Sequence, residues 1–522
     1  MRREELAALA AQQCASAETT AHHGGGKGRP FWNPTSYQFM YVPAFQFHHI
    51  PGTERYRYRA TDEKGGEHVF EADNCTGLLT PIWKDIPEGV VELRVYALDE
   101  QGNERHLVGA RTFYRLAPFT GDYPPAPVGY REAAERVYDF AFEQPFMRHW
   151  LTDGTPDPDY DRYVYPSKMI PAVITAMIDY ARLRPERADD ALRIAKNAAD
   201  YLIGITRQDG PTAGVPPTYW LNFREHPETR RNLTADERID WVMMIYPAHV
   251  GTAYLQLAQA TGEGRYFAAA LRIGEYYRDH VEENGTWYLL RSITTGEVIS
   301  PNYCAPLERI IPFLKSLGER TGDPAWDSLA DGAMAYTEKD MLSTYDWEGQ
   351  FEDSPCSANY SNLSHYGATA LVRHYCTYHA DDPAKMAEAD DLMRFAEDQF
   401  VIWGKPSPWN RTHFDTSIWQ TPCGLEQYNW HVPIDASTAD ITRTFLAMYR
   451  AGRGELHLAK ARALADSIVR SQRPDGRIPT HWMTDAHRSG EDFWINCMFD
   501  AARTLSLMAE EENAEFGIRN AE

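Results

Sequence analysis

The densest group of potentially catalytic side chains in this sequence is a run of carboxylates between residues 345 and 360. Asp346, Glu348, Glu352 and Asp353 fall within eight consecutive residues there. Hydrolysis of a glycosidic bond needs two carboxyl groups, one protonated as the acid and one ionised as the nucleophile or base. Clustering can raise the pKa of one carboxyl group, which favours such a pair. The alternative is that each of these residues caps a helix or is simply solvated.

Two more carboxylates stand in segments that are rich in aromatic residues. Asp240 lies in the segment RIDWVMMIYP, directly before an apolar helix, where it either performs acid and base chemistry or caps the helix. Glu426 lies in the segment WQTPCGLEQYNWHVPID, and we expect it to be the second carboxylate of a pair. In the same segment, Asp435 is expected to cap the helix that follows.

A different chemistry, β-elimination, is also compatible with these segments. It needs a side chain that neutralises a uronate carboxylate and a Tyr or His that serves as base and acid. Asn359, Tyr360, His365 and His431 supply those residue types, although Tyr360 and His365 are also suited to line the start of a helix. The candidate catalytic residues are therefore Asp240, Glu348, Glu352, Asp353, Glu426, Tyr360 and His365.

Aromatic side chains make up 12% of the chain and cluster in polar segments. Sugar rings stack on exposed aromatic faces in polar clefts, whereas a large domain also buries many aromatic rings in its core. The polar clusters favour the first interpretation. The candidate substrate-binding residues are Trp150, Tyr219, Trp220, Trp241, Tyr303, Trp347, Asn359, Trp419, Asn429, Trp430, His431 and Trp482.

Two kinds of helix are predicted to alternate along the chain after residue 130. They would position the segments that carry the candidate catalytic and binding residues. One kind is apolar, rich in small residues and preceded by a polar or aromatic loop; it is predicted over residues 165–183, 246–261, 303–321, 361–379, 436–452 and 491–510. The other kind is amphipathic and is predicted over residues 131–147, 189–205, 265–282, 324–342, 383–401 and 455–472. Six inner helices alternating with six outer ones predict a mainly α fold, an (α/α)6 toroid over residues 130–512, with a tail at 513–522.

The part before the toroid has a different periodicity. Residues 1–29 are expected to be a disordered lead that contains one frayed helix over residues 4–13. Polar and apolar residues then alternate with a period of two, which predicts a small, fibronectin-III-like β-sandwich over residues 30–117. A proline-rich linker is expected at residues 118–129.

With this architecture, about three quarters of the chain resembles carbohydrate-active (α/α)6 enzymes. These include unsaturated glucuronyl hydrolases, acylglucosamine 2-epimerases, and polysaccharide lyases of the heparinase and alginate-lyase type that carry a β-sandwich. Asp240, Met243 and Pro247 are similar to a motif of the glucuronyl hydrolases. Those enzymes use the Asp of the motif as acid and base, so the resemblance implies this role for Asp240. It implies a glycoside hydrolase that acts on a poly- or oligosaccharide, with a polysaccharide lyase or a sugar epimerase as alternatives.

Composition restricts the other classes of function. The formal net charge of −23 disfavours nucleic acids, membrane surfaces and polyanions as partners. A membrane-spanning helix needs about 20 apolar residues in succession, and none is predicted. We expect a cytoplasmic protein, or a periplasmic or secreted one if a signal peptide has been removed. The seven cysteines lack C-x-x-C spacing, so we predict no metal and no cofactor, with Cys356 and Cys423 near acidic or His residues as the alternative metal site.

Overall fold

The computed structural model describes most of the 522 residues. The described ranges are residues 1–16, 36–219, 240–303, 308–344, 363–409, 417, 419–428, 430–482 and 493–519.

Short strands with alternating burial form the N-terminal part. In order, the elements are helix α1 Arg3–Ala15, strands β1 Gln38–Phe39, β2 Ala44–Gln46, β3 Tyr56–Asp62, β4 Glu67–Ala72 and β5 Thr76–Leu78, helix α2 Thr80–Trp83, and strands β6 Gly89–Leu98 and β7 Glu104–Arg115. A five-stranded sheet has the order β1-β7-β6-β3-β4, and β2 pairs with β5 in a second sheet. In β6, Val91, Leu93 and Val95 are buried while Glu92 and Arg94 are exposed. This is the alternation that the sequence predicts for a sandwich.

Paired helices follow from residue 130 onwards. In chain order they are α3 Tyr130–Glu143, α4 Pro145–Thr152, α5 Pro166–Leu183, α6 Ala188–Ile205, α7 Ile245–Thr261, α8 Gly264–Asp279, α9 Ile310–Thr321, α10 Pro324–Tyr336, α11 Leu342–Thr344, α12 Tyr366–Tyr378, α13 Pro383–Phe400, α14 Asp435–Arg450, α15 Glu455–Ser471 and α16 Ile495–Arg519. A π-helical turn, Thr337–Met341, joins α10 to α11, and Asp161–Val164 and Pro185–Arg187 are 3-10 turns. The remaining strands are β8 Trp241–Met243, β9 Tyr288–Ser292, β10 Val298–Tyr303, β11 Val401–Ile402, β12 Cys423–Gln427 and β13 Trp430–Pro433.

The helices form two concentric rings, which confirms the predicted toroid. The inner ring consists of α5, α7, α9, α12, α14 and α16, and each inner helix packs against one outer helix. The ring closes because α16 contacts both α14 and the first inner helix, α5. Close approach requires small residues: a Cβ atom on Gly251 of α7 would overlap the Phe313 ring of α9.

Both chain ends contain more helix than the sequence predicts. The helix expected over residues 4–13 of the lead extends over Arg3–Ala15, packs against α15 and buries Ala10 and Cys14. Residues 17–35 lie outside the described residues. The tail expected at 513–522 begins as helix, since α16 continues to Arg519. None of the described helices has a run that is long and apolar enough to cross a bilayer.

Candidate active site

A polar cavity of about 450 Å³ runs along the axis of the toroid. Among the described residues, ones at or just before the N-terminal ends of all six inner helices contribute to its wall. The residues of this upper wall include Arg162, Tyr165, Lys168, Ile245, His249, Glu308, Arg309, Tyr366, Glu426, Gln427, Thr480, His481, Trp494 and Asn496.

The indole of Trp494 lies between cationic and aromatic side chains in this wall. The guanidinium carbon of Arg162 is 4.3 Å from the Trp494 ring centroid, and the Lys168 ammonium is 4.4 Å from it. The ring of Tyr165 lies 5.8 Å away. Trp494 is partly exposed, and such a ring, fixed in a polar cavity, is suited to stack on a sugar.

Glu426 reaches the cavity because its strand lies directly on the first turn of an inner helix. The amide of Gly424 in β12 donates to Thr438 Oγ1 of α14 at 2.8 Å. A Cβ atom on Gly424 would lie 2.8 Å from the Thr438 amide nitrogen, so this contact requires glycine. Burial, together with the nearby carboxylate of Glu426, raises the pKa of Tyr366 well above its usual value. Glu426 is therefore placed beside a neutral phenol.

Glu308 is a second carboxylate in the wall. Unlike Glu426, it was not a candidate from the sequence. It stands two residues before α9, and its Oε1 lies 3.4 Å from Nη2 of Arg309. The prediction of a continuous helix over residues 303–321 assigned this residue to a helix interior, whereas the helix begins at Ile310. Trp494 was missed for the same reason, because the helix predicted from residue 491 begins at Ile495.

Two imidazoles also line the cavity, and neither was predicted. His249 lies one turn into α7, where burial and the positive charges of Arg309, Arg503 and Lys168 lower its pKa well below the usual value. The ring is therefore neutral at neutral pH. His481 is 4% exposed and forms an isolated β-bridge with Ile434, directly before α14.

An ionic network forms the deep end of the cavity. Asp440 of α14 lies 2.8 Å from Arg373 of α12 and 3.4 Å from Arg443, and Arg443 is 3.0 Å from Asp500 of α16. Burial alone would raise the pKa of Asp440, but these arginines and His365 hold it well below the usual value. The charges are mutually neutralised, so this network joins inner helices and supports the cavity from below.

The structure does not bring Asp240 to the cavity wall. Its Oδ2 accepts a hydrogen bond from Ser292 Oγ at 2.5 Å, and its Oδ1 accepts one from the Thr294 amide at 2.9 Å. Burial opposes ionisation, but these hydrogen bonds lower the pKa of Asp240. The Asp240 carboxylate thus makes a structural contact between β8 and the turn after β9, and it is not among the residues that line the cavity.

The two predicted histidines are also structural. His365 is fully buried, with Nδ1 3.3 Å from Asp440 Oδ2 and its ring 5.6 Å from Phe400. His431 is 6% exposed, and its Nε2 lies 3.1 Å from the Gln399 carbonyl oxygen. Both side chains are buried, and neither is among the residues that line the cavity.

Several of the predicted sugar-binding rings belong to the hydrophobic core. Trp150 is fully buried and its indole N–H donates to Tyr163 Oη at 2.9 Å. The other buried rings in this group are Tyr219, Trp419 and Trp482. Trp241 is partly buried against Tyr219. None of these five rings is among the residues that line the cavity, and the four buried ones fill space between the loops and the helices.

The remaining predicted residues are not tested by the geometry. Those outside the described residues are Trp220, Trp347, Glu348, Glu352, Asp353, Asn359, Tyr360 and Asn429. Tyr303 and Trp430 belong to strands β10 and β13, of which only the backbone is described at these positions. All of these assignments stay predictions.

Comparison with known proteins identifies the fold. No model of a protein family matches the sequence, and no curated protein matches it significantly. A family 76 glycoside hydrolase from a bovine Bacteroides thetaiotaomicron strain is 11% identical and superimposes with a TM-score of 0.50, covering 88% of this chain and 93% of its own. Cellobiose 2-epimerase from Spirochaeta thermophila has 12% identity, a TM-score of 0.50, and coverage of 73% and 98%. A D-mannose isomerase has 13% identity, a TM-score of 0.52, and coverage of 73% and 97%.

Identities this low establish a common fold only. The chain has the (α/α)6-toroid fold found in carbohydrate-active enzymes, which agrees with the predicted resemblance. Its activity has to be argued from the cavity itself.

Proposed function

We propose that this protein is a carbohydrate-active enzyme, specifically a glycoside hydrolase, in which Glu426 and Glu308 are the catalytic carboxylates. The observation that carries the proposal is that both carboxylates line one polar cavity together with the partly exposed ring of Trp494. Hydrolysis of a glycosidic bond needs two carboxyl groups near one sugar site. An aromatic platform beside them supplies binding and orientation.

The surroundings of the two carboxylates favour different roles. Arg309 lies next to Glu308, and a neighbouring positive charge stabilises the ionised form that activates water or attacks the sugar. Glu426 lies near Tyr366 and near Asp435, and burial raises the pKa of each of these two groups well above its usual value. We assign Glu426 as the acid that donates its proton to the departing glycosidic oxygen.

Release of reducing ends from a panel of oligosaccharides and polysaccharides tests the proposal. Glu426→Gln and Glu308→Gln are each expected to lower kcat at least about 100-fold, because general acid–base groups contribute roughly that much. Asp240→Asn is the matched control and should keep most of the activity, since Asp240 holds a hairpin. Retained turnover in both glutamine variants would falsify the assignment. An ultraviolet-absorbing unsaturated uronate among the products would instead identify a lyase.

The two cavity imidazoles favour a second candidate, a sugar epimerase or isomerase. A neutral His249 can abstract the proton next to the carbonyl of an open-chain sugar, and a group such as His481 can return a proton. Neither step breaks a glycosidic bond. Incorporation of deuterium from D2O into an intact sugar, lost in His249→Asn but kept in Glu308→Gln, would establish this activity in place of hydrolysis.

A further inference from the structure

Three consecutive polar residues at the end of α13 are buried where the β-sandwich meets the toroid. Glu397, Asp398 and Gln399 are 2%, 1% and 0% exposed. Oδ1 of Asp398 accepts hydrogen bonds from the amides of Met40 at 2.6 Å and Tyr41 at 2.7 Å, directly after strand β1. Buried polar groups persist where they are fully hydrogen-bonded. This cluster therefore fixes the sandwich against one outer helix.

The side chain of Gln399 contacts both the sandwich and the hairpin that carries Glu426. Its Oε1 accepts a hydrogen bond from Ser36 Oγ at 2.7 Å and another from Tyr428 Oη at 2.6 Å. Its Nε2 donates to the Gln38 carbonyl oxygen at 3.3 Å and to Asp398 Oδ2 at 2.7 Å. The amide oxygen of Gln399 thus joins Ser36 to Tyr428, while its amide nitrogen binds Gln38 and Asp398.

The same end of α13 also holds the other strand of the hairpin. The carbonyl oxygen of Gln399 lies 3.1 Å from His431 Nε2. The Phe400 ring stacks on Tyr428 at 5.6 Å and lies edge-on to His431 at 5.7 Å. Glu426 is two residues from Tyr428, so the carboxylate stands between the anchor of Gly424 on α14 and the anchor of Tyr428 on α13.

Ion pairs occupy much of the outer face of the five-stranded sheet. Arg57 lies 2.7 Å from Glu71 and 3.4 Å from Glu104, and Arg59 lies 2.5 Å from Glu104. This face does not resemble the aromatic platform of a sugar-binding module. The contacts that link the sandwich to the cavity run through its opposite side, by way of Ser36 and Gln399.

We propose that the β-sandwich is a positioning clamp for the Glu426 hairpin, acting through the chain of hydrogen bonds Ser36–Gln399–Tyr428. Gln399 is the central positioning residue. The effect of the clamp on catalysis rests on the proposed function of Glu426, whereas its effect on the order of the hairpin does not. Catalytic geometry is sensitive to such support, since a displacement of about 1 Å can cost about 100-fold in rate.

Two conservative variants test the clamp from its two ends. Ser36→Ala removes the hydroxyl on the sandwich, and Tyr428→Phe removes the hydroxyl on the hairpin. We expect each to lower kcat about tenfold while KM changes less than about twofold, because the sugar-binding groups stay in place. Tyr41→Phe is the matched control: its hydroxyl donates to Glu397 Oε2 at 2.9 Å in the same interface without contacting the hairpin. It should lower thermal stability and leave kcat unchanged.

Hydrogen exchange of the full-length protein separates the clamp from the catalytic proposal. Amides of residues 423–433 should exchange faster in Ser36→Ala than in the wild type, with Tyr41→Phe close to the wild type. If exchange rises but the wild type hydrolyses nothing, the clamp stands and the proposed hydrolase activity fails. If exchange and kcat are unchanged in Ser36→Ala, or if Tyr41→Phe matches Ser36→Ala in both measurements, the clamp is overturned.

Discussion

In the upper wall of the cavity, Trp494 has a ring that Arg162, Lys168 and Tyr165 hold in one orientation. Trp494→Ala removes this platform and should raise KM for a sugar substrate about tenfold, which corresponds to roughly 1.4 kcal/mol of lost stacking. The effect on kcat should be smaller, since no proton transfer involves the ring. Steady-state kinetics of the variant checks this. A KM equal to that of the wild type would show that the ring does not bind the sugar.

A second tryptophan supplies the control for that experiment. Trp482 is fully buried, so Trp482→Phe should lower the melting temperature through lost packing while KM stays unchanged. The pair also shows what sequence reasoning achieves at single residues. Of the residues selected from the sequence, Glu426 lies in the cavity wall and Trp482 is buried, whereas Trp494, which lines the cavity, was not selected. Both are tryptophans near one inner helix, and only the path of the chain determines which ring faces the cavity.

The interface between the sandwich and α13 should make stability depend on pH. Burial raises the pKa of Asp398 from 3.8 to about 7. The folded protein therefore binds an extra proton between these values, and this contribution to stability is complete below pH 3.8 and is lost as pH rises through about 7. Asp398→Asn lacks this titration. Between about pH 5 and about pH 8, the free energy of unfolding of the wild type should therefore fall by roughly 2–3 kcal/mol more than that of the variant. Denaturation of both proteins at the two pH values measures this difference. Equal pH slopes in the two proteins would contradict the assignment.

Helices could be predicted where a hydrophobic periodicity extends over several turns. The positions at which the helices begin or end could not be predicted as well. Alternating apolar and amphipathic segments identified the inner and outer helices, since both patterns extend over several turns. Their first residues were misplaced at α9 and α16, because aromatic and charged residues before a helix resemble the helix itself in composition. The end of α13 shows a related limit: Glu397, Asp398 and Gln399 have polar side chains at the end of an amphipathic helix, yet they are buried between the sandwich and neighbouring parts of the toroid.

At the scale of the whole molecule, the toroid could be predicted from the repeated helix hairpins. The contacts between the sandwich and the toroid could not. A helix hairpin repeated along about 390 residues needs a closed ring to bury its apolar faces, so the toroid could be inferred from one sequence. The contacts of Ser36 and Asp398 span more than 350 residues of chain and involve polar atoms alone. No local pattern encodes such pairs, which is why these contacts could not be predicted from the sequence.

The ionic network between inner helices should help to hold the inner ring closed. Asp440 of α14 neutralises Arg373 of α12 and Arg443, and Arg443 in turn reaches Asp500 of α16. Asp440→Asn leaves these arginines partly uncompensated in a buried site, which should destabilise the protein by about 3–5 kcal/mol. Glu92→Gln is the control, since its pair with Arg94 is nearly half exposed and such exposed ion pairs contribute little to stability. Denaturant unfolding measures both. A loss in Asp440→Asn as small as that in Glu92→Gln would mean that apolar packing alone closes the ring, and that the charges at its centre serve the cavity instead.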